Sequence, residues 1–261
     1  MPVPLSEAPL SEAVRFAMAD NASILVALAT YNELENLPSL VEAVHAALPE
    51  AHVLVIDDHS PDGTGQWCDE QAQRARWFSC LHRPGKQGLG SALLLAMQTA
   101  VQRDVELLAT MDADWSHPPE RLPQLLAAAQ AADVVIGSRY CSGGRIDGWP
   151  WRRRVVSRVV NFLSRVVLGI PVRDCSGNFR VYRTERLRRL RWDELHVAGY
   201  AYIEEVLWHL HRLGATFAEV PIVFTDRRAG VSKINLGEAL TALGTLLRLG
   251  CKRLFSKKPS T

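Results

Sequence analysis

From Ile24 onward, short β-rich runs alternate with helical stretches, and this rhythm constrains the fold more than any other feature of the chain. The β runs lie at 24–29, 53–56, 77–81, 107–111 and 134–136 and are largely apolar. A strand with water on one face alternates apolar and polar side chains, so continuous apolar runs point to strands covered on both faces. Helical stretches at 37–47, 66–74, 90–102 and 119–131 fall between them and supply the covering layers. Pro118-Pro119 marks a sensible start for the last of these, since proline is tolerated in a first helical turn. The expectation is an α/β fold on a parallel sheet covered by helices on both faces.

The rhythm changes after Ser138. A loop with Gly143, Gly144 and Gly148 leads into a basic, strongly apolar helix at 151–168. A second α/β stretch follows, with a strand at 179–182, a helix at 203–213 and a strand at 216–220, and an amphipathic helix at 236–255 closes the pattern. Residues 1–22 form a Pro/Ser/Ala/Glu-rich leader with no assigned function. The expected division is therefore a leader at 1–22, one α/β domain at 23–235, and a C-terminal amphipathic helix with a basic tail at 236–261.

A net charge of +2 gives no argument for a nucleic-acid partner. Five cysteines (Cys68, Cys80, Cys141, Cys175, Cys251) are scattered and form no CxxC pair, which argues against a disulfide framework or zinc site and for a reducing compartment. No basic-then-apolar signal pattern opens the chain, and no uncharged apolar run approaches the roughly 20 residues that span a bilayer. The expected location is cytoplasmic, with membrane contact confined to the protein surface.

In a parallel sheet, ligands sit outside the carboxyl ends of the strands. There the chain places Thr30-Tyr31-Asn32-Glu33-Leu34-Glu35-Asn36 and Asp57-Asp58-His59-Ser60-Pro61-Asp62-Gly63-Thr64. Carboxylates would repel a pyrophosphate but suit ribose hydroxyls and a base edge; helix capping is the alternative for Asp62 and Thr64. GxGxxG and P-loop patterns are both missing at this position, which weakens dinucleotide and P-loop readings. The central signal is Met111-Asp112-Ala113-Asp114-Trp115-Ser116-His117-Pro118-Pro119-Glu120, directly after an apolar strand. Two carboxylates one residue apart at a strand end are hard oxygen ligands of the kind that hold Mg²⁺ or Mn²⁺ and leave positions for substrate phosphates. His117 is read as a further ligand or, with more weight, as a cap or packing residue.

As an ordered set across 24–233, these motifs resemble the family 2, GT-A glycosyltransferases, and within them the polyprenyl-phosphate (dolichyl-phosphate) mannosyltransferases. Gly88-Leu89-Gly90, Gly137-Ser138-Arg139-Tyr140, Gly143-Gly144 and the segment 227–233 complete the set. The resemblance implies a Rossmann-like mixed sheet flanked by helices, with amphipathic interface helices and no transmembrane span. It implies that Tyr31, Glu33 and Asp58 hold the nucleoside of GDP-mannose, with Ala29 and Ile56 beside them, and that Asp112 and Ala113 lie near the ribose and diphosphate. Asp114 is then the principal metal ligand, with Asp112 and Ser116 as further candidates, and Arg227 and Lys233 belong to a loop that closes over the diphosphate. Ala29 departs from the family's usual proline, Ser116 from a glutamine, and Asn178 from a glycine in the turn Cys175-Ser176-Gly177-Asn178-Phe179-Arg180.

Helix 151–168 carries Arg152, Arg153, Arg154, Arg158 and Arg165 among Val155, Val156, Val159, Val160, Phe162, Leu163, Val166 and Val167. That composition suits a helix at a membrane interface, with arginines near lipid phosphates; core or dimer packing with snorkelling arginines is the alternative. The C-terminal helix, with Leu240, Leu243, Leu246, Leu247, Leu249, Leu254 and Phe255, is a second candidate of the same kind. A lipid monophosphate is already anionic, so it needs cations to position it rather than a base to deprotonate it. Arg139 and Arg153 are assigned to that acceptor phosphate, with Arg152 and Arg154 equally placed by sequence; Asp174 and Glu205 are the carboxylates available if the acceptor were a hydroxyl, or else structural partners of the nearby arginines. The expected reaction is inverting transfer of mannose from GDP-mannose to a polyprenyl phosphate, with a membrane partner subunit left open. The rivals are a UDP-glucose donor or saccharide acceptor, a sugar-nucleotide pyrophosphorylase, and a non-catalytic nucleotide-sugar binder.

Overall fold

In the computed structural model the described residues are 23–195, 202–226 and 236–255, with side chains of the last stretch described from 244 to 253. The strands are β1 (Ile24–Thr30), β2 (His52–Asp57), β3 (Phe78–His82), β4 (Leu107–Asp112), β5 (Val134–Ser138), β6 (Arg145–Ile146), β7 (Arg180–Arg183), β8 (Phe217–Pro221) and β9 (Val223–Phe224). The helices are α1 (Leu37–Ala47), α2 (Thr64–Arg74), α3 (Leu89–Gln102), α4 (Leu122–Ala128), α5 (Trp151–Leu168), α6 (Thr184–Leu187), α7 (Tyr202–Arg212) and α8 (Leu236–Phe255).

A seven-stranded sheet runs in the order β3-β2-β1-β4-β7-β5-β8. Its pairings are parallel except at β7, which lies antiparallel between β4 and β5. The sheet is therefore mixed, as the family resemblance implied, whereas the strand–helix rhythm alone pointed to a parallel one. Alternation along β1 explains its apolar run: Leu25 and Ala27 join the core beneath α3 and α7, while Val26 and Leu28 join the core beneath α1 and α4. Each such fully buried Leu or Val contributes about 1.5–3 kcal/mol relative to exposure. Phe179 precedes β7 and packs so closely on β5 that a Cβ at Gly137 would stand 2.6 Å from its ring, which accounts for glycine there.

The expected helix at 119–131 is shorter. It opens as a 3₁₀ turn over Pro119–Arg121, and α4 proper begins at Leu122 because Pro123 lacks the N–H that an interior position must donate. Past Ala128, Gln130 and Ala131 bond three residues back rather than four, so the end tightens into a 3₁₀-type turn. The small parallel ladder of β6 and β9 was not anticipated, since two-residue strands carry no periodicity.

Helix α5 is inside out. Asn161, Ser164 and Leu168 are its buried residues, whereas Trp151, Val155, Val156, Val159, Val160, Phe162, Leu163 and Val166 are exposed. Asn161 explains the inversion: its Oδ1 accepts the N–H groups of Cys175 (2.8 Å) and Ser176 (3.2 Å), pinning the helix to the turn before β7. Helix α8 packs along α5, where Arg253 donates to the carbonyls of Val166 and Val167. Of the leucines expected to face a membrane in α8, Leu246 and Leu249 instead face the core, and Leu247 is exposed. No described helix is long and apolar enough to cross a membrane.

Candidate active site

Strand register brings the site together at the carboxyl end of the sheet. Ala29 of β1 is paired with Ile56 of β2 on one side and with Asp112 of β4 on the other. One row across three strands thus carries three of the residues assigned to the nucleotide sugar. At the β2 side, Asp58 is buried, forms an ion pair with Arg83, and accepts 3.0 Å hydrogen bonds from the N–H groups of Gln87 and Gly88. Its visible role is to fix the loop before α3, at whose tip Lys86 lies 4.4 Å over the Tyr31 ring. Glu33 accepts from Asn36 Nδ2 at 3.0 Å, and its N–H donates to Thr64. Gly63 holds the N-cap position of α2, and Asp62 before it ties two loops together: Oδ1 accepts both the N–H and the hydroxyl of Thr64, and Oδ2 accepts the N–H of Leu34.

The turn after β4 holds Asp112 and Asp114 in fixed orientations. Asp114 is buried, and its Oδ1 accepts the N–H (3.1 Å) and hydroxyl (2.6 Å) of Ser116. Trp115 takes a left-handed backbone with φ of 64°, which turns the chain back on itself between them. Asp112 is more open, and its Oδ1 accepts 2.9 Å from Asn178 Nδ2. The reading of His117 as a packing residue holds: it is buried, stacks on Phe179, and its Nδ1 accepts the N–H of Asp112 at 3.0 Å. That bond fixes the neutral tautomer with its proton on Nε2, and burial holds the ring's pKa below the usual histidine value.

Beyond β5, Arg139 and Asp174 form a buried bidentate pair, at 2.8 and 2.7 Å, with a third bond from Arg139 to Ser176. Burial disfavours both charges, yet mutual attraction wins: Asp174 is held below the usual carboxylate range and Arg139 above its ordinary value. Tyr140, Trp149 and Phe224 surround the Arg139 guanidinium. Arg153 lies 3.7 Å over the Trp149 ring and 3.4 Å from Asp226. Thr225 rests on the turn after β4, bonding the carbonyls of Trp115 and Ser116. The segment with Arg227 and Lys233 lies outside the described residues. Glu205 is buried against Arg248 at 2.7 Å, and burial raises its neighbour Glu204 to about 7.

Motif reading missed Arg83, Lys86 and Asn178 as contributors. Only Asn178 had carried a signal, as asparagine at a turn position where glycine was expected.

Comparison with known proteins agrees with this geometry. Glycosyl transferase family 2 matches residues 25–191. The chain is 44% identical over 221 residues to polyprenol monophosphomannose synthase of Mycolicibacterium smegmatis, covering 83% of each chain. It is 39% identical over 227 residues to undecaprenyl-phosphate mannosyltransferase of Micrococcus luteus, covering 87% of this chain and 93% of that one. Among solved structures, glucosyl-3-phosphoglycerate synthase from Mycobacterium tuberculosis, in complex with Mn²⁺, UDP and phosphoglyceric acid, superposes with a TM-score of 0.61 at 18% identity, covering 91% of this chain and 80% of that one. A mannosyltransferase from Pyrobaculum calidifontis in complex with GDP-Man and Mn²⁺ superposes at 0.56 with 17% identity, covering 91% and 66%. Strand order, the carboxylate turn at the sheet's carboxyl end and these matches together show that the chain belongs to glycosyltransferase family 2.

Proposed function

We propose that the chain transfers mannose from GDP-mannose to a polyprenyl monophosphate, giving polyprenyl phosphate β-mannose and GDP. What carries the reading is that two relatives, at 44% and 39% identity over most of the chain, both join mannose to a polyprenyl phosphate by name. The exposed apolar face of α5 supports a lipid acceptor and a peripheral position on a membrane; the cytoplasmic face, with or without a membrane partner subunit, is part of the proposal. The carboxylates weighed as bases also favour an acceptor that needs none: Asp174 is engaged by Arg139 and Glu205 by Arg248.

Asp112 and Asp114 offer hard oxygens at one turn, and no group of three or more metal-binding side chains forms among the described residues. Such a partial donor set fits Mg²⁺ or Mn²⁺, ions that complete their shells with substrate phosphates. Asp114 would be the main ligand, with Asp112 and the Ser116 hydroxyl oxygen as further donors. The ion would supply charge neutralisation for the departing nucleoside diphosphate. Tyr31, Glu33 and Asp58 with its loop hold the nucleoside end, while Ala29, Ile56 and Ala113 line the floor. Arg227 and Lys233 cover the diphosphate, and Arg139 and Arg153 orient the acceptor phosphate for inverting attack.

Transfer of labelled sugar from GDP-mannose to a polyprenyl phosphate, with and without Mn²⁺ and beside UDP-glucose, tests this. A metal-dependent mannosylated lipid is the expected product. Transfer from UDP-glucose alone would overturn the donor, and no transfer from either, with nucleotide binding intact, would point to a different acceptor or a required partner subunit.

A further inference from the structure

A cavity of about 340 Å³ opens between α5 and the loop after β5. Four arginines line it, Arg139, Arg158, Arg165 and Arg173, together with Tyr140 and Phe162. Arg139 is already neutralised by Asp174. The other three are exposed, and none has an ion-pair partner among the described residues. Neither Arg153 nor the turn from Asp112 to Ser116 borders the cavity. Three uncompensated cations around one concavity repel each other and call for an anion.

The position on the helix says which anion. Arg158, Phe162 and Arg165 stand at i, i+4 and i+7, so they form one stripe of α5. That stripe runs between the inward residues Asn161 and Ser164 and the exposed residues Val155, Val159 and Val166. A charged group in the cavity would therefore sit at the rim of an apolar face, which is the layout of a phospholipid headgroup above its acyl chains. We propose that Arg158, Arg165 and Arg173 of this cavity bind the phosphodiester headgroup of an anionic membrane phospholipid and seat α5 on the bilayer, while Arg139, which the cavity shares with the proposed acceptor site, stays paired with Asp174. The proposal rests on the membrane association argued under the proposed function.

The test is co-sedimentation of the full chain with phosphatidylcholine vesicles, with and without added phosphatidylglycerol. Arg158→Gln with Arg165→Gln is compared with Arg152→Gln with Arg154→Gln, a pair on the same helix, also exposed, that removes equal charge outside the cavity. Diffuse attraction would cost each pair the same, roughly fivefold per arginine. A built site predicts that the cavity pair loses roughly tenfold more than the control on phosphatidylglycerol vesicles, with both pairs equal to wild type on phosphatidylcholine alone. Equal losses overturn the proposal. Inorganic phosphate that displaces the protein better than chloride at matched ionic strength would make free phosphate the occupant, and also overturns it. Mannosyl transfer to a short-chain, water-soluble polyprenyl phosphate without vesicles should persist in the cavity pair. Its loss would assign these arginines to the acceptor, against the proposal. If the wild type transferred no mannose while the vesicle difference held, the reaction reading would fall and the headgroup site would stand.

Discussion

Asn178 Nδ2 donates to Asp112 Oδ1 at 2.9 Å, tying the turn before β7 to the carboxylate that ends β4 across 66 positions of sequence. The amide fixes which way Asp112 faces without neutralising it. Asn178→Ala removes that restraint and leaves the strand pairing in place. A hydrogen bond to a charged group is worth about 1.5–3 kcal/mol of stability, so Tm should fall by a few degrees, and kcat/KM for the nucleotide sugar should fall roughly tenfold as Asp112 loses its orientation. Steady-state kinetics across a metal titration checks this, and wild-type parameters would show that Asp112 needs no such guide.

Asp114→Asn keeps a carbonyl oxygen to accept from Ser116 but loses the charge. Transfer should drop by on the order of 10³-fold, the scale set by removing one electrostatic element of an active site. The circular dichroism spectrum should be unchanged. Substantial turnover in the variant would remove Asp114 from the metal role.

Asp174→Ala leaves the Arg139 guanidinium buried without its partner. Breaking one side of a buried ion pair costs about 3–5 kcal/mol, which denaturant unfolding will read directly. Because Arg139 holds the Asp174 carboxyl below its usual range, the wild-type pair's contribution is present above the usual carboxylate pKa of 3.8 and is lost as pH falls below it. The variant should lack that part of the acid-induced loss.

Glu204 carries the opposite sign. Burial raises its pKa from 4.5 to about 7, so between these values the folded chain keeps a proton that the unfolded chain releases. Its contribution is favourable below pH 4.5 and is lost as pH rises through 7. Glu204→Gln should therefore be more stable than wild type above pH 7, by up to roughly 3 kcal/mol, and nearly equal to it at pH 4.5. Denaturation midpoints at the two pH values decide this; parallel curves would show that Glu204 is ionised in the fold.

The apolar runs of β1 to β5 were legible because burial on both faces leaves a compositional trace. The antiparallel entry of β7 was not, since four residues read alike in either direction. At the site, the carboxylates were legible from their place after an apolar strand, but their supports were not. Asn178 and Arg83 act through contacts that no spacing announces. Helix α5 was readable as amphipathic from its arginines. That Asn161 and Ser164 face inward depended on a distant turn offering its N–H groups, so the polar side was not identifiable as the packed one.

β7 is four residues long, yet it alone in the described sheet touches both β4 and β5. During synthesis, β4 and β5 therefore emerge well before the strand that will join them, and each waits with an unpaired edge. The segment made in that interval includes α5, whose apolar face is exposed among the described residues. Open strand edges and bare apolar surface are the two ingredients of misassociation in a nascent chain. A bilayer within reach of the ribosome would cover the second ingredient before β7 arrives to remove the first, so the surface that serves the finished protein would also guard its making.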